Sequence, residues 1–312
     1  MKTYFFSLCA IFITVIMTVQ TSVVNAQIVD NSRGYALGDN QPFFNPDFIR
    51  HRGIKTISGQ FIHYKLGDKL RETDFYRIYT FNKKGLLVKR EERSQITSGQ
   101  ETVIDLYEYD DKNRMLKHKH FDHFSAYAYT YTYDEKGRML SKEYRQNYHR
   151  GSMNSENYEL TEEHIISFEK FRYEDYDNQQ HQFVYNQNGE VPYKDVITYF
   201  DEKKRITSVV EKLRRVSSLK TTSYYYNEDG FIDSINVNSR SEQFRDLVYS
   251  FTYDEKNNLK GRKDYVNGKL TTNYEIVYKE ETNLINDVLI QNLQTNFIRI
   301  LELRNYSYFE QE

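Results

Sequence analysis

The chain has 312 residues, with 43 Lys and Arg against 45 Asp and Glu for a formal net charge of −2. A balanced chain of this kind excludes the basic electrostatic footprint of a nucleic-acid or anionic-lipid binder. It holds 29 Tyr and 20 Phe but no Trp, 3 Pro and a single Cys, so it has no disulfide framework.

Residues 1–26 read as a secretory signal peptide: Lys2, then the apolar run YFFSLCAIFITVIMTV, then Val24-Asn25-Ala26 before Gln27. An uncleaved membrane anchor is the competing reading, and the apolar run is short for it. Cys9 lies inside that run, so cleavage removes the one thiol, and Phe6-Ser7-Leu8 before it makes a poor lipidation signal. The expectation is an exported protein, periplasmic, cell-surface or extracellular, with no membrane insertion after cleavage.

Residues 27–75 carry Gly34, Gly38, Pro42, Pro46 and Gly53 and read as a leader that caps one end, with a strand in IKTISGQFIHYKL.

Residues 76–283 are repetitive. The segment AYAYTYTYDEKGRML (126–140) contains Tyr133-Asp134-Glu135-Lys136-Gly137-Arg138-Met139-Leu140, which matches Tyr109-Asp110-Asp111-Lys112-Asn113-Arg114-Met115-Leu116 position for position. Related copies start at Phe81, Tyr185, Phe200, Tyr226 and Tyr253, with a degraded one at Tyr278. A further degenerate copy is expected around Tyr158 to Tyr176, and the step from Tyr185 to Phe200 reads as a shortened unit.

Before each anchor, aromatic and β-branched residues alternate with polar ones, which is one face of a strand. After it, Asp or Asn caps a turn through its own backbone, and Gly or Asn tolerates positive φ. Each unit is therefore a β-hairpin, joined to the next at turns such as Ser98-Gly99-Gln100 and Asn267-Gly268-Lys269. Residues 284–312 read as a last hairpin or cap, since FIRILELRNYSYF alternates cleanly. The predicted fold is all-β: an antiparallel meander of β-hairpin repeats forming one long twisted or curled sheet, its end strands capped by the termini.

The Y-D-x-x-G-R-hydrophobic unit resembles the YD repeat of RHS-type proteins, from Phe81 to about Leu284, with Tyr133, Asp134, Gly137, Arg138 and Leu140 matching best. The resemblance implies exported hairpin repeats building spiralling β-sheets. Its departures are few copies, irregular spacing and no C-terminal core-associated domain, so the toxin-shell role is not carried over.

For chemistry, His118, His120 and Asp122 share one face of a strand, a set that could meet Zn²⁺ or Ni²⁺. The plainer reading is a solvated return strand, and no cofactor is expected. Asn227-x-Asp229-Gly230 and Asn186-x-Asn188-Gly189 look like pieces of a calcium loop but lack its bidentate Glu, and turn chemistry accounts for them. No G-x-S-x-G, H-E-x-x-H or glycine-rich phosphate loop occurs.

Tyr127, Tyr129, Tyr131 and Tyr133 put four phenols on one side of a strand, a surface that can stack on sugar rings or dock a partner. The plainer reading is cross-strand stacking within the sheet. The leading expectation is a non-catalytic scaffold or binding protein contacting a protein or glycan. The alternatives are a hydrolase or metal-dependent enzyme with its site in the irregular 141–180 segment, or a carrier of lipid or another hydrophobic ligand.

Overall fold

The computed structural model describes residues 27–38, 42–65, 67–96, 99–122, 126–149, 160–240 and 246–310. The expected signal peptide (1–26) and the middle of the irregular segment (150–159) lie outside the described residues.

A short helix α1 (Pro46–His51) precedes β1 (Ile54–Lys65), β2 (Arg71–Phe81), β3 (Leu87–Ile96), β4 (Gly99–Tyr109), β5 (Met115–Phe121) and β6 (Ala126–Tyr133). There follow β7 (Met139–His149), β8 (Leu160–Asp175), β9 (Gln179–Asn186), β10 (Lys194–Phe200), β11 (Ile206–Leu213) and β12 (Leu219–Tyr226). The last are β13 (Ile232–Ser239), β14 (Leu247–Tyr253), β15 (Leu259–Val266), β16 (Lys269–Tyr278), β17 (Ile285–Asn292) and β18 (Phe297–Tyr308).

Every strand pairs antiparallel with its neighbours in sequence. β1 also pairs with β18 from Ile54↔Tyr308 to Lys65↔Phe297. This overturns the expected open sheet: eighteen strands close into an up-and-down barrel with no end strands to cap.

The reason lies at the anchors. Seven hairpins carry a register shift at the anchor aromatic, for example between Thr80 and Phe81, Thr132 and Tyr133, and Val277 and Tyr278. A bulge bends its strand and adds twist, so a bend repeated at one end of successive hairpins curls the sheet until it meets itself.

Each bulge puts two consecutive return-strand residues against one anchor, such as Met139 and Leu140 against Tyr133. The carbonyl it frees from the ladder is met by the phenol of a following hairpin. Tyr109 donates to Leu87 O, Tyr133 to Met115 O, Tyr173 to Met139 O, Tyr226 to Ile206 O, Tyr253 to Ile232 O, Tyr278 to Leu259 O and Tyr306 to Ile285 O, all at 2.6–2.8 Å. The seven acceptors are the inward partners of the seven bulged anchors. Burial pushes these phenols up, Tyr253 to about 12, so they stay protonated and donate.

The rest of the motif supports the same joint. Asp134 Oδ1 accepts the Arg138 N–H, and its Oδ2 accepts Arg138 Nε at 2.7 Å. The guanidinium then stacks on the anchor ring of the next hairpin: Arg114 on Tyr133, Arg138 on Tyr173 and Arg205 on Tyr226, at 4.4–4.8 Å.

Tyr173 is thus the anchor of the degenerate copy. The Tyr185 copy is different. β9 runs away from the motif end, so the turn after Asn186 lies at the opposite end and is a link between hairpins. No shortened unit exists there.

Eighteen strands spaced about 4.8 Å apart enclose a lumen of the order of 30 Å across, too wide for wall side chains to fill. The leader fills part of it. Phe44 packs on Tyr79 (4.7 Å) and Phe81 (5.1 Å), Asn31 Nδ2 donates to the Tyr253 hydroxyl, and Arg262 Nη1 donates to Ala36 O. Tyr35 lies beside Tyr224. Only the inner face presents β2, β12, β14 and β15 to one segment at once, so the leader is a plug rather than a cap on an end strand. The core cluster joins Ile28, Val29, Phe48 and Ile49 of the plug to β1–β4 and β13–β18. Each such side chain, fully buried, contributes about 1.5–3 kcal/mol.

Candidate functional site

The lumen wall over β3–β7 is lined differently. Alternation puts Arg90 and Glu92 of β3 on the inner face, together with Asp105, Tyr107 and Tyr109 of β4. The register then aligns Asp105 with His120 and Tyr127, and Tyr107 with His118, Tyr129 and Tyr144.

Asp105 is 2% exposed and organises this wall. Its Oδ1 takes both His118 Nε2 and His120 Nδ1 at 2.8 Å. Its Oδ2 accepts Arg90 Nε at 2.9 Å and Nη2 at 2.8 Å. Burial pushes the Asp105 carboxyl up, but the His118 and His120 hydrogen bonds and the Arg90 guanidinium outweigh it and hold the group well below the carboxylate range. His120 Nε2 also lies 3.5 Å from Asp122 Oδ2. Burial lowers the His120 pKa, and the hydrogen bond and charge of Asp105, with Asp122, more than reverse this and raise it.

Aromatic rings are stacked across the strands above this cluster. His118 lies on Tyr107 at 4.8 Å and 12°, His120 on Tyr127 at 4.6 Å, and Tyr129 on Tyr144 at 4.9 Å. Lys142 Nζ sits 4.7 Å over the Tyr129 ring. Tyr127, Tyr129, Tyr131 and Tyr144 are half-buried, with part of each ring open to the lumen. Burial raises the Tyr127 and Tyr131 phenols to about 12, so they remain neutral donors.

Of the expected tyrosine strip, Tyr127, Tyr129 and Tyr131 lie on this wall, whereas Tyr133 is stitched to Met115 O under Arg114. His118 and His120 do meet, on the buried Asp105, and Asp122 reaches only His120. The imidazole nitrogens that converge are occupied by that carboxylate, and among the described residues no His, Cys, Asp and Glu group is arranged to hold a metal. Asp105 was missed because it reads as one polar residue in TVIDLYEY. The signal was its parity: it shares a face with Tyr107 and Tyr109, so a carboxylate was to be found on the core side.

No protein-family model matches the chain, and no curated protein does. Among solved structures it aligns with a porin-like protein from Bacteroides uniformis ATCC 8492 over 83% of this chain and 97% of that one, at 11% identity and TM-score 0.26. It also aligns with TcdB2-TccC3-TEV over 82% of this chain and 22% of that one, at 10% identity and TM-score 0.22. Likeness at this level assigns no activity to the chain.

Proposed function

We propose that the protein is an exported, non-catalytic binding barrel whose β4–β7 lumen wall takes a glycan or an extended polypeptide. The observation that carries this is the row of partly open rings, Tyr127, Tyr129, Tyr131 and Tyr144, held rigid from beneath by His118, His120 and Asp105. Rigid phenols supply large contact area at low entropic cost. The plug packs mainly on β1, β2 and β13–β18, and Tyr127, Tyr129, Tyr131 and Tyr144 keep part of each ring uncovered.

A closed eighteen-stranded barrel is also an architecture that can sit in an outer membrane. The outer wall speaks for an aqueous setting. Lys89, Glu91 and Arg93 alternate with the inward Arg90 and Glu92, and Lys119, Glu143, Arg145 and Lys170 take outward positions on β5, β7 and β8. An Arg or Lys facing lipid at the midplane costs about 2–4 kcal/mol. The protein is expected in the salt-soluble envelope fraction; recovery only with detergent would overturn this.

Binding is tested on a glycan array and a peptide array, followed by titration calorimetry of any hit. Tyr129→Ala and Tyr144→Ala each weaken the hit at least tenfold without lowering the melting temperature by more than a few degrees. A hit indifferent to both substitutions, or no hit on either array, refutes the assignment.

A further inference from the structure

The plug leaves a second space unfilled. At the motif end of the barrel, between the first plug residues and the β10–β11 and β12–β13 turns, lies a cavity of about 870 Å³. That is the size of a site for a small organic ligand.

Its lining combines two chemistries. Tyr35, Tyr224, Tyr226 and Phe231 give aromatic surface. Beside them are three cations, Arg33, Lys204 and Arg205. Arg205 is committed, paired with Asp201 at 2.7 Å and stacked on Tyr226. The other two are not neutralised. Lys204 Nζ donates to the backbone carbonyl of Asp177 and pairs with no carboxylate among the described residues. Arg33 is exposed and makes neither a hydrogen bond nor an ion pair with a described residue. The lining has one carboxylate, Asp30, whose Oδ1 accepts the Ser32 N–H. A concave surface with two open cations and low-dielectric walls concentrates anions.

The backbone adds an independent observation. Lys204 has φ +60°, at the turn position filled elsewhere by Gly85, Asn113, Gly137, Gly230 and Asn257. Glycine and asparagine accept that conformation readily, whereas a lysine does not. A strained residue kept at the lip of a cavity points to a use for its side chain.

We propose that this cavity binds an organic anion with an apolar body, such as an aliphatic or aromatic carboxylate or sulfonate. Its head group lies between Arg33 and Lys204 and its body lies on Tyr35, Tyr224 and Phe231.

Two dyes of similar shape test it on the full mature chain: anionic 1-anilinonaphthalene-8-sulfonate and neutral N-phenyl-1-naphthylamine. One sulfonate should bind at least tenfold tighter than the neutral dye, weaken with salt, and be displaced by decanoate. Arg33→Gln and Lys204→Asn should each lower sulfonate affinity three- to tenfold and leave the neutral dye unchanged. Lys204→Asn installs the residue that other turns use at this position, so the fold is retained. Equal affinity for the two dyes, no sulfonate binding, or sulfonate affinity untouched by both substitutions overturns the proposal.

Discussion

The hydroxyl of Tyr133 donates a 2.7 Å hydrogen bond to the carbonyl of Met115, the residue at which the previous motif hairpin is bulged. The two residues belong to successive copies of one repeat. The bond therefore ties a local irregularity in one hairpin to the anchor of the next. Tyr133→Phe removes the donor and leaves that carbonyl without its partner, which costs about 1–3 kcal/mol. Urea denaturation should show this loss, whereas the exposed Tyr225→Phe on the same kind of strand should be neutral. Equal midpoints for the two variants would show that the stitch contributes nothing.

Asp105 holds Arg90, His118 and His120 together, and its own side chain and that of Arg90 are 3% and 13% exposed. Removing one partner of a buried pair strands the other charge, at about 3–5 kcal/mol. Asp105→Asn is therefore expected to be the most destabilising conservative change on this wall. A loss below 1 kcal/mol in denaturant titration would place the cluster in a more solvated setting than described.

His120 gives the wall a pH signature. Its pKa is raised in the folded protein above the ordinary histidine value of 6.5, against burial, by Asp105 and Asp122. A raised folded pKa contributes stability that is fully present below the unfolded value and is lost as pH rises through the folded one. His63 works oppositely, since burial and then Arg299 lower its pKa. The difference between wild type and His120→Gln isolates the first effect. It should be largest near pH 6 and smaller at pH 8; a difference that is flat or grows with pH contradicts the assignment.

Gly85 and Gly137 occupy the same turn position with φ +82° and +83°. A Cβ on Gly137 would meet nothing within 4 Å, whereas one on Gly85 would lie 2.0 Å from Pro46 O and 2.9 Å from Arg50 N of the plug. Gly137→Ala should cost only backbone strain, about 1–2 kcal/mol. Gly85→Ala must also displace α1, and should open the plug to tryptic cleavage at Arg50 and Arg52. Equal stability and equal cleavage in the two variants would remove the helix from the barrel mouth.

The hairpin turns were legible because their causes are local. Asp134 caps its own turn through Arg138 N–H, and Gly137 takes positive φ, within a few residues. The letters misled at Asn186–Gly189, where Gly189 takes no positive φ and the turn lies at the other end of the barrel. What separates the two ends is the phenol-to-bulge bond, which links residues 18 to 34 positions apart, the widest at Tyr173 and Met139. The tyrosine wall was half legible. The parity of Tyr127, Tyr129 and Tyr131 places them on one face, but the histidines and carboxylate beneath them come from β4 and β5.

By itself the sequence determined an all-β antiparallel meander, the residues of its turns, and which side chains share a face. Only the tertiary structure decided that the meander closes, which face is the lumen, and that the leader enters it. Period-two alternation separates two faces without saying which is concave. Curvature accumulates over many strands, with seven of its bulges at the anchors, and closure is one pairing between β1 and β18, the first and last strands of the chain. Neither quantity belongs to any single stretch of residues.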